Sequence, residues 1–169
     1  VLACDPYVDA ATVAARGARK VEMPELLAES DVVSLHLPLA PDSRGLMNAG
    51  SFARMRKGAI FVTTARGNIH EEPALQEALA SGHIAAAGLD VWEQEPPPPS
   101  HPLLNMDNVI VTQHTAGVTH ESRSNITTIA ALAFVDAANG RLPPRVINPE
   151  VIGRFAARYE AAFGRKLAV

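Results

Sequence analysis

The 169 residues are 47% hydrophobic and 20% charged, and 15 basic against 18 acidic side chains leave a net charge of −3. That hydrophobic share excludes a disordered chain, the length suits one compact domain with a core of its own, and the mildly acidic balance gives no electrostatic reason to expect nucleic acid as a partner. No apolar run reaches the ~18 residues of a membrane span, no signal peptide stands at the start, and the single cysteine, Cys4, cannot close an internal disulfide, so the expectation is a cytoplasmic α/β protein.

Val1-Leu2-Ala3-Cys4 is an apolar run stopped by Asp5-Pro6, which predicts a buried strand followed by a turn. Chains seldom begin inside a strand, because domain termini are usually exposed, so further residues upstream of Val1 are expected. Pro24 to Ser30 reads as a helix turning Leu26 and Leu27 towards a core, and Val32 to Leu37 as a β-rich run. Asn48 can cap a helix holding Phe52 and Met55, which Gly58 would end before a strand at Ala59 to Val62. Pro73 to Ser81 sets Leu75, Ala78 and Leu79 at i, i+3, i+4, with Gly82 as the stop. Ile84 to Leu89 and Val109 to Thr112 are further strands, and Pro96-Pro97-Pro98-Pro99 between them is a stiff extended connector. Thr119 to Ala138 reads as a long helix with Ile126, Ile129, Ala130 and Ala133 on one face, closed by Asn139-Gly140. After the linker Leu142-Pro143-Pro144 comes an amphipathic helix from Pro149 to Phe163, carrying Val151, Phe155, Tyr159 and Phe163. The strand runs are nearly all apolar, the pattern of strands covered on both faces, and their alternation with helices implies a parallel sheet.

In an open parallel sheet, ligands bind outside the carboxyl ends of the strands. The residues that follow each run are therefore the informative ones: Asp5; His36 and Pro38; Thr63, Thr64, Ala65, Arg66 and Gly67; Asp90, Glu93 and Glu95; and Gln113 and His114. Taken singly each has an ordinary explanation, Asp5 as a turn former, Arg66 as part of a surface loop, His114 as a hydrogen-bonded side chain. His70, His83, His101 and His120 sit in polar or loop contexts and read as surface residues, and no spacing suits a metal site. Together, however, the residues make an intelligible constellation. Arg66 can hold a carboxylate bidentately, a histidine paired with a glutamate can donate a proton near neutral pH, and a buried aspartate can accept hydrogen bonds from an amide or ribose. These are the parts needed to reduce a 2-keto acid.

Three segments in order sharpen that reading: Thr64-Ala65-Arg66-Gly67-Asn68 with Pro73-Ala74-Leu75, then Gly88-Leu89-Asp90-Val91-Trp92-Glu93-Gln94-Glu95-Pro96, then Asn108 to Gly117. They resemble the NAD-dependent D-isomer-specific 2-hydroxyacid dehydrogenases, a family that includes phosphoglycerate dehydrogenase and the glyoxylate/hydroxypyruvate reductases. The resemblance implies a Rossmann-like parallel sheet, incomplete at its N-terminal side. Residues 1–148 would be a partial NAD-binding domain and 149–169 a C-terminal helix that packs on a substrate domain. It implies Arg66 as the substrate-carboxylate arginine, His114 as the proton donor and acceptor, and Glu95 as its acid partner. Asp90 would bind the nicotinamide carboxamide and Asp5 the adenosine ribose. His36, Pro38, Thr64 and Ala65 would line the cofactor, with Ala116 and Gly117 at its nicotinamide end. NAD as cofactor, a small 2-keto or 2-hydroxy acid as substrate and a homodimer are implied with them.

Gln113, Thr63 and Ser43 depart from the family's usual Pro, Asn and Thr. No G-x-G-x-x-G occurs in the sequence; in the family that loop precedes the position of Val1, so these residues alone are expected to hold NAD weakly and to turn nothing over. A non-catalytic binding or assembly module of the same fold is the alternative, and a corepressor of this fold is disfavoured by the presence of Arg66, Glu95 and His114 together.

Overall fold

The computed structural model describes residues 1–168, which group into two compact units, the first Val1–Ala116 and the second beginning at Gly117. The first opens with β1 (Leu2–Ala3), α1 (Ala10–Ala15), β2 (Arg19–Lys20) and α2 (Met23–Glu29). The Asp9 carboxylate caps α1 by accepting from the Thr12 N–H at 2.7 Å, and β1 and β2 pair in parallel as a separate two-stranded sheet. Neither α1 nor β2 is announced by the sequence, because six residues and a basic dipeptide are too short to show a period.

The main sheet follows: β3 (Val32–Leu35), β4 (Ala59–Thr63), β5 (Ile84–Leu89) and β6 (Val109–Val111) lie side by side in chain order, every pair parallel. Between β3 and β4 runs α3 (Ala49–Arg54), and between β4 and β5 runs α4 (Glu72–Ala80). Asn48 caps α3 through Ser51 N–H at 3.2 Å, as its position predicts, but the helix stops at Arg54 and leaves Met55 as its C-cap. Gly58, at φ +84°, serves the turn into β4 instead. Because all four strands point the same way, His36, Thr64, Asp90 and Thr112 emerge at one edge.

The register explains the core. Val33, Phe61 and Ala87 are aligned across β3, β4 and β5, as are Leu35, Thr63 and Leu89, and all six are buried. Phe52 from α3 meets Phe61 edge-on, with ring centroids 5.2 Å apart, and Leu27, Leu75 and Leu79 from the helices join the same cluster. The opposite face differs from the expectation of strands covered on both sides: Val32 is 54% exposed, Ile60 38% and Ile110 78%. An apolar strand composition thus hides an alternation of burial that hydrophobicity alone does not display.

The second unit holds α5 (His120–Ala138), a 3-10 turn at Pro149–Val151 and α6 (Ile152–Phe163). Tyr159 of α6 is buried beside Gly140, where φ is +75° and a Cβ would come within 2.9 Å of the tyrosine oxygen. The Arg165 guanidinium lies 5.7 Å from the Tyr159 ring centroid and donates to the Ala138 carbonyl at 2.8 Å. α5 therefore belongs to the unit of α6, and the packing divides the chain after Ala116, whereas the sequence reading drew its line between residues 148 and 149.

Two histidines expected at the surface are not there. His101 is largely enclosed, its side chain 16% exposed, and His70 is fully buried, its ring 5.7 Å from that of Phe61 and both its nitrogens without a hydrogen-bond partner among the described residues. Burial pushes the His70 imidazole below its ordinary value, against an opposing pull from Glu72. An unfolded histidine titrates near 6.5, so below that pH the unfolded chain binds the extra proton and the folded state loses stability, by up to about 1.4 kcal/mol per pH unit. Urea unfolding at pH 7.5 and 5.5 should show a smaller acid-side loss in His70→Leu than in the wild type. Equal losses would mean that His70 does not enter the folded state neutral.

Candidate active site

β4 ends in Thr63, and Thr64-Ala65-Arg66-Gly67 continues along the carboxyl edge of the sheet. Ala65 is buried while Arg66 is exposed, its guanidinium donating to the Ala65 carbonyl at 2.6 Å. Beside it a cleft of about 610 Å³ is lined by His36 and Pro38 after β3 and by Thr64, Ala65 and Arg66 after β4. The loop after β3 is pinned by Ser43, which donates to the Pro38 carbonyl at 2.8 Å and accepts from Ala40 N–H at 2.8 Å, so serine fulfils this bonding where the family usually has threonine.

Gly67 is buried for a steric reason. A Cβ there would lie 2.9 Å from the Glu93 nitrogen and closer still to the Trp92 carbonyl. Only glycine lets the Arg66 loop lie flush on the Trp92–Glu93 peptide. Trp92 itself orders the next segment: its backbone N–H donates to Glu95 Oε1 at 3.2 Å, and its indole N–H donates to the Thr112 carbonyl at 3.1 Å.

Asp90, at the end of β5, is 4% exposed. Its Oδ1 accepts from the Thr112 hydroxyl at 2.5 Å and Thr115 N–H at 2.7 Å, its Oδ2 from Ala116 N–H at 3.0 Å, and its carbonyl from His114 N–H at 2.7 Å. Burial works against the Asp90 charge, yet these donors and the nearby His114 hold its carboxyl below the usual range. Asp90 thereby fixes the Thr112–Ala116 turn, in which His114 adopts the left-handed conformation at φ +58°. Oδ2, with one donor, has the capacity to accept another.

His114 and Glu95 meet at the mouth of this arrangement, Nδ1 to Oε2 at 2.9 Å, each side chain 39% exposed. Hydrogen bonding to His114 is the main cause that lowers the Glu95 carboxyl below its ordinary value. Partial burial opposes it, and the Trp92 N–H and the charges of His114 and Arg66 add to the lowering. Asp5 stands apart, half-buried after β1 in the two-stranded sheet and accepting from Tyr7 N–H at 2.8 Å. Gly117 opens the second unit and is exposed. The structure thus groups His36, Pro38, Thr64, Ala65 and Arg66 at one cleft, and Asp90, Glu95, His114 and Ala116 around one turn. Sequence reasoning gives no supporting role to Trp92, Glu72 or His101, yet Trp92 bonds the Thr112 carbonyl and Glu72 bonds both Glu93 and His101; the lone tryptophan beside the acidic motif is the available signal.

The Glu95 carbon resonance, followed through a pH titration, should show a carboxyl midpoint below the ordinary range. Glu95 is folded with its pKa depressed, so its pairing contributes above the usual carboxylate range and fades as pH falls through the lowered value. His114→Gln should move the midpoint upwards; an unmoved midpoint would mean that the two side chains are not paired in solution.

The model of the D-isomer-specific 2-hydroxyacid dehydrogenase NAD-binding domain matches residues 1–116. The chain is 45% identical over 145 residues to D-3-phosphoglycerate dehydrogenase of Archaeoglobus fulgidus, covering 86% of this chain and 27% of that protein. It is 42% identical over 136 residues to glyoxylate reductase of Korarchaeum cryptofilum, covering 80% and 41%. The NAD-complexed D-isomer-specific 2-hydroxyacid dehydrogenase of Lactobacillus delbrueckii ssp. bulgaricus superposes with a TM-score of 0.80 at 29% identity, over 87% of this chain and 48% of the other. The chain thus spans less than half the length of these relatives. A parallel sheet with this edge, together with a family match over the whole of the first unit, makes the chain a member of the D-isomer-specific 2-hydroxyacid dehydrogenase family, carrying its NAD-binding domain.

Proposed function

We propose that the protein carrying this chain interconverts a small 2-keto acid and the corresponding 2-hydroxy acid, of the phosphoglycerate, hydroxypyruvate or glyoxylate type, with NAD. The observation that carries the proposal is the His114–Glu95 pair at 2.9 Å on the same sheet edge as Arg66. When bound, NAD supplies the hydride for reduction and accepts it for oxidation. The cleft beside Arg66 is of a size that suits a small molecule or part of a larger one, for which ~300–1,000 Å³ is typical. His36, Pro38, Thr64 and Ala65 would line it, Asp90 Oδ2 and the Ala116 backbone would meet the carboxamide, and Asp5 would accept the ribose hydroxyls and repel a 2′-phosphate.

Arg66 presents a planar fork that fits a carboxylate bidentately and places positive charge beside the carbonyl to be reduced. His114 has Nδ1 engaged by Glu95, which leaves Nε2 to deliver a proton to the carbonyl oxygen as the carbon gains the hydride; in the reverse direction it removes that proton from the hydroxyl. The Glu95 carboxylate, meeting Nδ1 at 2.9 Å, fixes the orientation and tautomer of the ring. A homodimer is consistent with α5, on which Ile126, Leu132 and Phe134 are exposed.

Glu95→Gln removes the carboxylate that orients the His114 ring. It should lower kcat of keto-acid reduction with KM little changed, while His114→Ala should cost roughly 10²–10⁴-fold in rate. Arg66→Lys should raise KM for the keto acid as well as lower kcat, since a point charge replaces a fork. An unchanged kcat in Glu95→Gln, measured by steady-state kinetics on the protein that carries the chain, would contradict the proton-transfer assignment.

A further inference from the structure

Behind the turn that presents Glu95 lies a polar cluster that the proposed chemistry leaves without a task. Glu72, the first residue of α4, is a buried carboxylate whose side chain is 9% exposed. Its Oε1 accepts from Glu93 N–H at 2.8 Å, and its Oε2 lies 2.9 Å from His101 Nε2. The bonding is reciprocal, because Glu72 N–H donates to Glu93 Oε1 at 3.2 Å. His101 in turn sets its ring edge-on to Trp92, with centroids 5.5 Å apart.

A buried carboxylate is costly to keep unless its oxygens are met by donors, and here both are. What they hold is one peptide. The Glu93 N–H clamped by Glu72 belongs to the same Trp92–Glu93 peptide whose carbonyl faces Gly67, and the N–H of Trp92 itself donates to Glu95. The exposed pair Glu95–His114 has little packing of its own, each side chain being 39% exposed, so its geometry depends on how firmly this backbone is held.

We infer that Glu72, braced by His101, is a positioning residue: by clamping the Glu93 N–H it fixes the Trp92–Glu95 turn and thereby aims the Glu95 carboxylate at His114. This rests on the pairing of Glu95 with His114 in the proposed function, but it adds a group that acts through the Glu93 backbone rather than on the reacting atoms. Glu93 joins the clamp through both its backbone and its carboxylate.

The sign of a titration shift separates positioning from simple charge. The charged groups facing Glu95 are His114 and Arg66, both of which favour its ionised form. Removing the negative charge of Glu72 would, by Coulomb's law alone, ease ionisation of Glu95 and lower its midpoint. Loss of the clamp does the reverse, because Glu95 drifts from the donors that favour its charge. In the 169-residue chain, with Glu95 followed by carbon NMR, Glu72→Ala should therefore raise the Glu95 midpoint towards the ordinary carboxylate value. Glu72→Gln, whose amide oxygen can still accept from Glu93 N–H, should leave it close to wild type. A midpoint unchanged or lowered in Glu72→Ala, or raised equally in Glu72→Gln, overturns the assignment. Should Glu72→Ala fail to fold, Glu72→Asp withdraws the carboxylate by one methylene and is read by the same signs. His114→Gln in the same series isolates the premise: if it leaves the midpoint low, the Glu95–His114 pairing has failed rather than the clamp.

Discussion

The Trp92–Glu93 peptide is where the parts of the site refer to one another. Gly67 lies so close to it that any side chain would collide, and this contact sets the height of the Arg66 loop above the sheet. From the same two residues the Trp92 N–H reaches Glu95, the indole N–H reaches the Thr112 carbonyl two residues before His114, and the Glu93 N–H reaches Glu72. Single hydrogen bonds of this kind contribute only about 0.5–1.5 kcal/mol each, so none of them fixes the site alone. Convergence on one short segment is what gives exposed side chains a defined geometry.

Asp90 performs the complementary task for the histidine. A left-handed residue other than glycine is uncommon, and His114 is held at φ +58° by the Asp90 carbonyl accepting its N–H and the Asp90 carboxylate accepting the two that follow. The parallel sheet makes both arrangements possible. β5 delivers Asp90 and, five residues later, Glu95; β6 delivers Thr112 and His114 beside them. Chemistry gathers at this edge because four strands in one direction bring their carboxyl ends together, the general property of open α/β sheets.

The sequence made the main sheet legible because its strands are apolar runs bounded by turn residues, and β5 at Ile84–Leu89 matches its run end to end. The short opening elements were not legible, since α1 and β2 carry no period, and neither was the burial alternation of β3, where Val32 is exposed and Val33 buried although both are valine. Arg66, Asp90, Glu95 and His114 stood out because ionisable residues directly follow apolar runs or the motif after them. His70 and His101 were misjudged for the converse reason. Polar neighbours such as Asn68, Glu71 and Ser100 make a segment look exposed, while contact with Phe61 in one case and with Glu72 and Trp92 in the other comes from residues distant in the chain. Supporting residues of this sort need the tertiary structure to be seen.

The central claim, that the Trp92–Glu93 segment sets the geometry of Arg66, Glu95 and His114, is open to a single spectrum. Gly67→Ala forces the Arg66 loop away from the Trp92–Glu93 peptide, since its Cβ would lie 2.9 Å or less from that backbone. The chain has one tryptophan, so its indole N–H gives one unmistakable nitrogen–proton signal that reports on the bond to Thr112. If the peptide is the shared reference, that signal should shift in the variant together with the backbone signals of Glu95 and His114. Shifts confined to the residues adjoining position 67, with the indole, Glu95 and His114 unmoved, would show that the three segments are positioned independently and would contradict the account.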